Sequence, residues 1–415
     1  MQQKIPSIFA NFMKIPINAR RVVFCSGLRN LAFGFFNILQ GIYLEKIGID
    51  LGVIAGLLSF QLAVAVIFAI PSAILSDRGN RRLFYMVGTI LNALGILLYV
   101  LSTQILLLVL AGIAFGIGDS LLIPPENALI SLYSESSGMT EAFSLSASIQ
   151  LLLSTIGTLM AMLPDIFQIG FDYSVQLAYH PLFIMGIIII ISGIIFVLPL
   201  PKVKKESTPK KGETFKSFRK ISRTLSKFAL YQFLMGFGAG FIIPLFPLWF
   251  YLQFGIGGIA LAPMYTASNL LMSFFVLAVP KIKKKMGAVR TIAIFQGTAT
   301  FLLFVIPFLA NFVAVVCLFV IRTLLMNIPG PIVFSMMMAN IPDEQRGFAV
   351  SIASAPFGIV WGLPNSTSQG LGGQLLDMKQ YTTPFLICGS LFVLAIFSFY
   401  LFFGRGKVKE YEKST

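Results

Sequence analysis

The chain has 415 residues, of which 57% are hydrophobic and 11% charged, with a mean hydropathy of +0.87. Soluble domains carry about a quarter charged residues, so this composition excludes an ordinary water-soluble fold, and recurrent apolar runs of about 18 residues or more indicate an integral membrane protein. The net charge of +15 would elsewhere suggest a nucleic-acid partner; here the positions of the charges carry the information, and no nucleic acid is expected.

In chain order, Lys4, Lys14, Arg20 and Arg21 precede a first span predicted at 21–43, which carries Arg29. No small-residue cleavage site follows, so it reads as a span and not a leader. Spans at 51–75 and 83–101 flank the charged stretch LSDRGNRRLF, Leu75 to Phe84. A span at 104–130 holds Asp119 and Glu126, and spans at 142–163 and 181–200 complete a first set of six. After the lysine-rich stretch 201–225 come spans at 226–251, 258–279, 289–309, 312–339, 346–373 and 382–403. Each is long enough to cross ~30 Å of hydrocarbon, where backbone groups must be satisfied internally, so each is a helix. The alternating short segments of a β-barrel are not seen. The expected domains are therefore 1–200, a basic linker 201–225, and 226–415.

The basic residues orient the chain. With twelve spans, 27 of the 31 Lys and Arg residues fall on the side that holds both ends and the central linker, which places that side in the cytoplasm. The linker reads as a solvated, lipid-facing connection. The two sets of six also resemble each other. IPPENALISLYSESSGMTEAFSLS at 123–146 aligns without gaps on IPGPIVFSMMMANIPDEQRGFAVS at 328–351, at the same junction between spans. Repeated halves around a midplane site characterise secondary transporters.

Cys25, Cys317 and Cys388 each lie inside an apolar run at no metal-ligand spacing and read as packing residues. His180 is the single histidine. No phosphate loop, metal site or hydrolase motif is present, so neither a cofactor nor an enzyme activity is expected. Gly236-Phe-Gly238-Ala-Gly240 lies within an apolar span and reads as helix packing.

The stretch after span two resembles the signature of the major facilitator superfamily, roughly G-x-L-a-D-R-x-G-R-R. It stands here as Ala73, Leu75, Ser76, Asp77, Arg78, Gly79, Asn80, Arg81 and Arg82. Two family glycines are replaced: Ala73 is still small, and Asn80 is a residue that tolerates positive φ beside Gly79. With the span count, the basic middle and the repeat, the resemblance covers the whole chain. It implies an all-α membrane protein of twelve transmembrane helices in two six-helix pseudo-repeats, with both termini cytoplasmic. It also implies a gating role for Asp77, Arg78, Gly79, Arg81 and Arg82. Asp77 would face the cytoplasmic start of span eleven, near Gln345 to Phe348, where a carboxylate at a helix N-terminus is favourable; the arginines would pair locally or touch lipid phosphates.

A charge in mid-span needs a partner or a purpose. Arg29, Asp119, Glu126 and Arg322 are such charges, on spans that line the central cavity in the family. Asp119 and Glu126 are seven apart, on one face of span four, and Arg29 is expected to pair with one of them. Arg322 has no acid in spans seven to twelve away from a span end, which suits an anionic substrate group. Gly27, Asn30, Gly34, Asn37 and Gly41 form a small and polar packing seam on span one, from which Gln40 and Arg29 point away. Tyr231, Gln232, Trp361 and Asn365 are weaker cavity candidates. Prolines 124–125, 244, 247, 329, 331, 356 and 364 are expected to break spans four, seven, ten and eleven.

The leading reading is a secondary transporter of a small organic solute, an anion being one class considered. Protons are one coupling ion considered, through Asp119 or Glu126. The partners are a small-molecule substrate and membrane lipids, the state is monomeric, and the location is the plasma membrane. A multidrug or lipophilic-compound exporter is the alternative, although span four carries acids where the drug–proton antiporters usually have an arginine. Span five likewise lacks their G-x-x-x-G-P-x-x-G-G. A polytopic enzyme or non-transporting receptor is the alternative of another class.

Overall fold

Inside hydrocarbon an apolar run satisfies its backbone by coiling, and the described residues contain helices and no strand. The computed structural model describes residues 16–101, 103–134, 139–201, 213–339 and 358–404. Its helices are α1 (Ile17–Lys46), α2 (Leu51–Arg78), α3 (Arg81–Leu101), α4 (Ile105–Tyr133), α5 (Met139–Met160), α6 (Leu163–Phe171), α7 (Val175–Val197) and α8 (Glu213–Gly240). They continue as α9 (Phe246–Phe254), α10 (Gly258–Met286), α11 (Ala288–Val305), α12 (Phe312–Asn327), α13 (Gly330–Ala339), α14 (Ile359–Asp377) and α15 (Thr383–Phe403).

Among the described residues, nine helical stretches are long and apolar enough to cross a membrane. They match expected spans one to six, nine, ten and twelve. The other three expected spans are helical but interrupted, basic or partly outside the described residues. α8 begins at Glu213, within the stretch read as linker, and stops at Gly240 before α9 resumes at Phe246. α10 ends in Lys283, Lys284 and Lys285. α14 carries the polar run Asn365 to Gln369 and is described only from Ile359.

The prolines behave in two ways. Pro244 and Pro247 lie at the α8–α9 interruption and Pro329 at the α12–α13 interruption, as expected. The expectation of a break fails at Pro124–Pro125, where α4 runs on to Tyr133, and at Pro364 inside α14. A membrane helix passes through proline when neighbouring groups satisfy the freed carbonyl. Pro356 lies outside the described residues. Where the chain turns sharply after α1, Gly48 takes φ of 87° and its N–H reaches back to the Glu45 carbonyl, a left-handed helix end that glycine permits without a Cβ penalty.

The chain divides into two compact units. The first holds residues 1–43, 68–208 and 258–263; the second holds 44–67, 209–257 and 264–415. In the first unit α3 packs on α4 and α7, and α6 on α7. Small residues bring α1 against α5. A Cβ on Gly157 would land on the Leu31 carbonyl, one on Gly34 on the Ser154 carbonyl, and one on Gly27 on the Leu153 and Ile149 side chains. Gly27 and Gly34 of the span-one seam thus lie on a helix-packing face. An aromatic layer of Phe33, Phe36, Tyr99, Phe115 and Phe183 fills the space behind it. Asp165 on α6 accepts the Ile259 N–H at the start of α10, 2.9 Å away, where a carboxylate meets the positive end of a helix.

The second unit repeats the device. α8 packs on α14 and α15, and α11 on α12 and α15. A Cβ on Gly236 or Gly240 would strike the carbonyls of Trp361 or Asn365, and one on Gly372 the carbonyl of Phe241. The glycine-rich run 236–240 is therefore a packing face. The portion of α2 assigned to this unit packs on α14: the Ser59 hydroxyl donates to the Ser366 carbonyl, and Gly373 leaves no room beside Ala55.

Candidate functional site

Two buried polar constellations stand out, one in each unit. In the first, Arg29 of α1 reaches α4. Its guanidinium donates to Glu126 Oε2 at 3.2 Å and lies 3.9 Å from Asp119 Oδ1. The seven-residue spacing puts both carboxylates on one face, and a single arginine spans them. Glu126 Oε1 also accepts from the Ser26 hydroxyl at 2.6 Å and from Gln150 Nε2 at 2.8 Å. Asp119 Oδ1 accepts from Asn92 Nδ2 at 3.0 Å. Charge-assisted bonds of this kind are the strong ones.

In the second unit a cavity of about 380 Å³ opens among α8, α11, α12, α13, α14 and α15. Arg322 of α12 lines it and is only 4% exposed. Among the described residues no carboxylate lies within ion-pair distance of Arg322, and its guanidinium makes no hydrogen bond. It lies instead against two aromatic faces, 5.9 Å from the ring centre of Phe246 and 6.0 Å from that of Phe392. Two rings at the outer limit of cation–π range recover only part of the several kcal/mol that burying a guanidinium costs. The arrangement fits a positive charge waiting for an external anion. Tyr231, Gln232 and Trp361 line the same cavity, so three of the weaker candidates join Arg322. Tyr231 donates its hydroxyl to Gln296 Oε1 at 2.9 Å, which leaves the Gln296 amide N–H₂ as a donor at the wall. Phe228, Phe334 and Phe392, with Met235, Met326 and Met337, give the rest of the lining an apolar character.

Two candidates sit elsewhere. Gln40, expected on a cavity face with Arg29, is buried in the aromatic layer and donates to the Tyr99 hydroxyl. Asn365 does not line the cavity; its side-chain N–H₂ donates to the Gly236 carbonyl at 3.0 Å. In both cases the amide has gone to a helix–helix contact, the usual fate of a polar side chain in a tightly packed membrane bundle.

The signature stretch is partly described. The side chains of Asp77 and Arg78 and all of Gln345 to Phe348 lie outside the described residues. Asn80 does not adopt positive φ, and neither does Gly79. Asn80 instead caps α3: its Oδ1 accepts the Arg82 backbone N–H at 3.2 Å, a role suited to Asn at a helix N-terminus. Arg82 donates to the Leu200 carbonyl at 2.7 Å, beyond the C-terminal end of α7, where a cation offsets the helix dipole.

The sequence profile of the Major Facilitator Superfamily matches residues 22–365. The chain belongs to the Major Facilitator Superfamily. Solved structures of similar fold include the nucleoside transporter NupG, at 16% identity and a TM-score of 0.71, covering 94% of this chain and 100% of that one. A bacterial homolog of the human lysosomal transporter Spinster, inward-facing and occupied, matches at 13% identity and 0.69, covering 92% and 95%. A POT family transporter in complex with 5-aminolevulinic acid matches at 18% identity and 0.66, covering 94% and 98%. At these identities the likeness concerns the fold alone. No curated protein matches the sequence. Membership in the superfamily makes the chain a multi-pass membrane protein of a transporter family and not an enzyme.

Gln296, Asn92, Gln150 and Ser26 were not singled out from the sequence. The available signal was a lone amide inside an apolar span, as Asn92, Gln150 and Gln296 each are. Membrane helices use such residues for packing so often that the signal has little discriminating power.

Proposed function

We propose that this superfamily member is a secondary transporter that moves a small organic solute bearing an anionic group by alternating access. The observation that carries the reading is Arg322, buried at the wall of a cavity with no carboxylate to neutralise it among the described residues. The guanidinium would grip a carboxylate or phosphate through paired hydrogen bonds. The Gln296 amide would add a donor, and the Phe and Trp361 walls would cover the apolar body. Twelve spans with both ends cytoplasmic, a plasma-membrane location and proton coupling complete the proposal; the charge asymmetry of the loops supports the orientation.

The apolar, Met- and Phe-rich lining favours a second reading, export of lipophilic compounds. A thermal-shift screen of purified protein against organic anions, sugars, amino acids and lipophilic cations separates the two. A solute at 100 times its Kd stabilises a folded protein by ~2.7 kcal/mol. Anion hits that vanish in Arg322→Ala and persist weakly in Arg322→Lys support the anion reading. Hits confined to lipophilic cations, or anion hits untouched in Arg322→Ala, overturn it in favour of the exporter.

A further inference from the structure

The first unit holds one guanidinium and two carboxylates in a buried cluster, so its formal charge is −1 when all three are ionised. The two acids are not equivalent. Glu126 is the better satisfied, with donors on both oxygens: Oε1 takes the Ser26 hydroxyl and the Gln150 amide, and Oε2 takes Arg29 at 3.2 Å. Asp119 has a long contact with Arg29, 3.9 Å, and a single hydrogen bond from Asn92, both to Oδ1. Its Oδ2 accepts nothing among the described residues, and its side chain is 18% exposed against 7% for Glu126.

Asn92 adds an independent observation. It is fully buried, and its Oδ1 has no donor. An asparagine amide presents a donor on one side and an acceptor on the other. With Asp119 ionised, the amide donates to the carboxylate and its own carbonyl is orphaned. With Asp119 protonated, the amide turned over would accept the carboxyl O–H, and the orphan acceptor would gain a partner. The ionisable groups gathered around the cluster are Cys25 and Arg29 from α1, Tyr85 from α3, and Asp119 and Glu126 from α4.

We infer that Asp119 is the proton-binding group of the first unit, its carboxyl O–H directed to the Asn92 amide oxygen, while Glu126 stays bonded to Arg29, Ser26 and Gln150. A proton moves from hydronium to Asp119, water is released, and the cluster goes from −1 to neutral. Protonating Glu126 instead would weaken the bond to Arg29 and disrupt an environment made of donors. The use of that proton for coupling rests on the transporter reading above; the protonation itself does not.

The test is infrared difference spectroscopy of the full-length protein in nanodiscs, titrated with protons alone. Wild type is expected to show a protonated-carboxyl C=O band that grows as pH falls. Asp119→Asn is expected to lose it, and Glu126→Gln to keep it. A wild-type protein without such a band, a band that survives in Asp119→Asn, or one lost only in Glu126→Gln overturns the assignment. Asp119→Asn is nearly isosteric, and a folded state is checked by an unchanged elution profile and Tm within a few degrees. Should Asp119→Asn not fold, Asp119→Glu decides in its place: a band shifted in frequency or midpoint supports the assignment, and an unaltered band refutes it. Arg322→Ala is expected to leave the band unchanged, so a failure of the anion reading leaves this result standing, and the reverse.

Discussion

In the first unit Arg29 lies between Glu126 and Asp119, tied to one and leaning on the other. In the second unit Arg322 is the more deeply buried of the two, yet it lies against the aromatic faces of Phe246 and Phe392 with no carboxylate beside it among the described residues. The residue type is the same, and the difference lies in who supplies the negative charge. Arg29 has its counter-charge built in and can serve as a fixed tie between α1 and α4. The Arg322 counter-charge would come from outside, which is what a binding site needs and a structural tie does not. Glycine-lined packing is common to both units; the polar content placed on it is not.

The sharpest way to break the contrast is Arg29→Leu. Removing one partner of a buried charge cluster leaves two carboxylates facing apolar surroundings, a loss of ~3–5 kcal/mol. A thermal-unfolding scan in detergent should show a large drop in Tm, and a drop as small as that of a surface variant would mean the ion cluster is not a structural tie. A smaller effect is expected at the shared packing device. Gly157→Leu places a side chain against the Leu31 backbone, and overpacking of this kind costs ~1–3 kcal/mol; a neutral result would show that α1 and α5 separate easily. Asn80→Ala should cost ~1 kcal/mol through the lost α3 cap, measured as a modest Tm shift, and no shift would return Asn80 to the role of a permissive loop residue. The least effect on stability is expected from Arg322→Leu. Replacing an uncompensated buried charge by an apolar side chain is often neutral or stabilising, so Tm should hold or rise while the anion-induced shift is lost. A marked fall in Tm would show that Arg322 is a structural tie after all, and the contrast with Arg29 would collapse.

Much of this was legible in the primary structure because a charge in a hydrophobic run is conspicuous. Arg29, Asp119, Glu126 and Arg322 announce themselves, and the seven-residue spacing on span four predicts a shared face. The interruption at Pro244 and Pro247 follows from local backbone chemistry. Local chemistry alone did not forecast that α4 would continue through Pro124–Pro125, or that Asn80 would cap α3 and not turn with positive φ. Both depend on which neighbouring groups are at hand to donate or accept.

The sequence by itself determined that this is a polytopic helical membrane protein, which charges are buried in its spans, and the signature that resembles the superfamily. Those properties are sums over the chain or the marks of single residues, and they need no knowledge of what lies across the bundle. Tertiary structure alone decided that both Glu126 oxygens find donors in Ser26, Gln150 and Arg29 while Asp119 keeps an open edge. It also decided that Arg322 shares a cavity with Tyr231 and Gln296, and that Gln40 and Asn365 serve helix contacts instead. Those outcomes turn on distances of a few ångströms between helices far apart in sequence, set by how closely their glycine faces approach, and no periodicity along one helix encodes them.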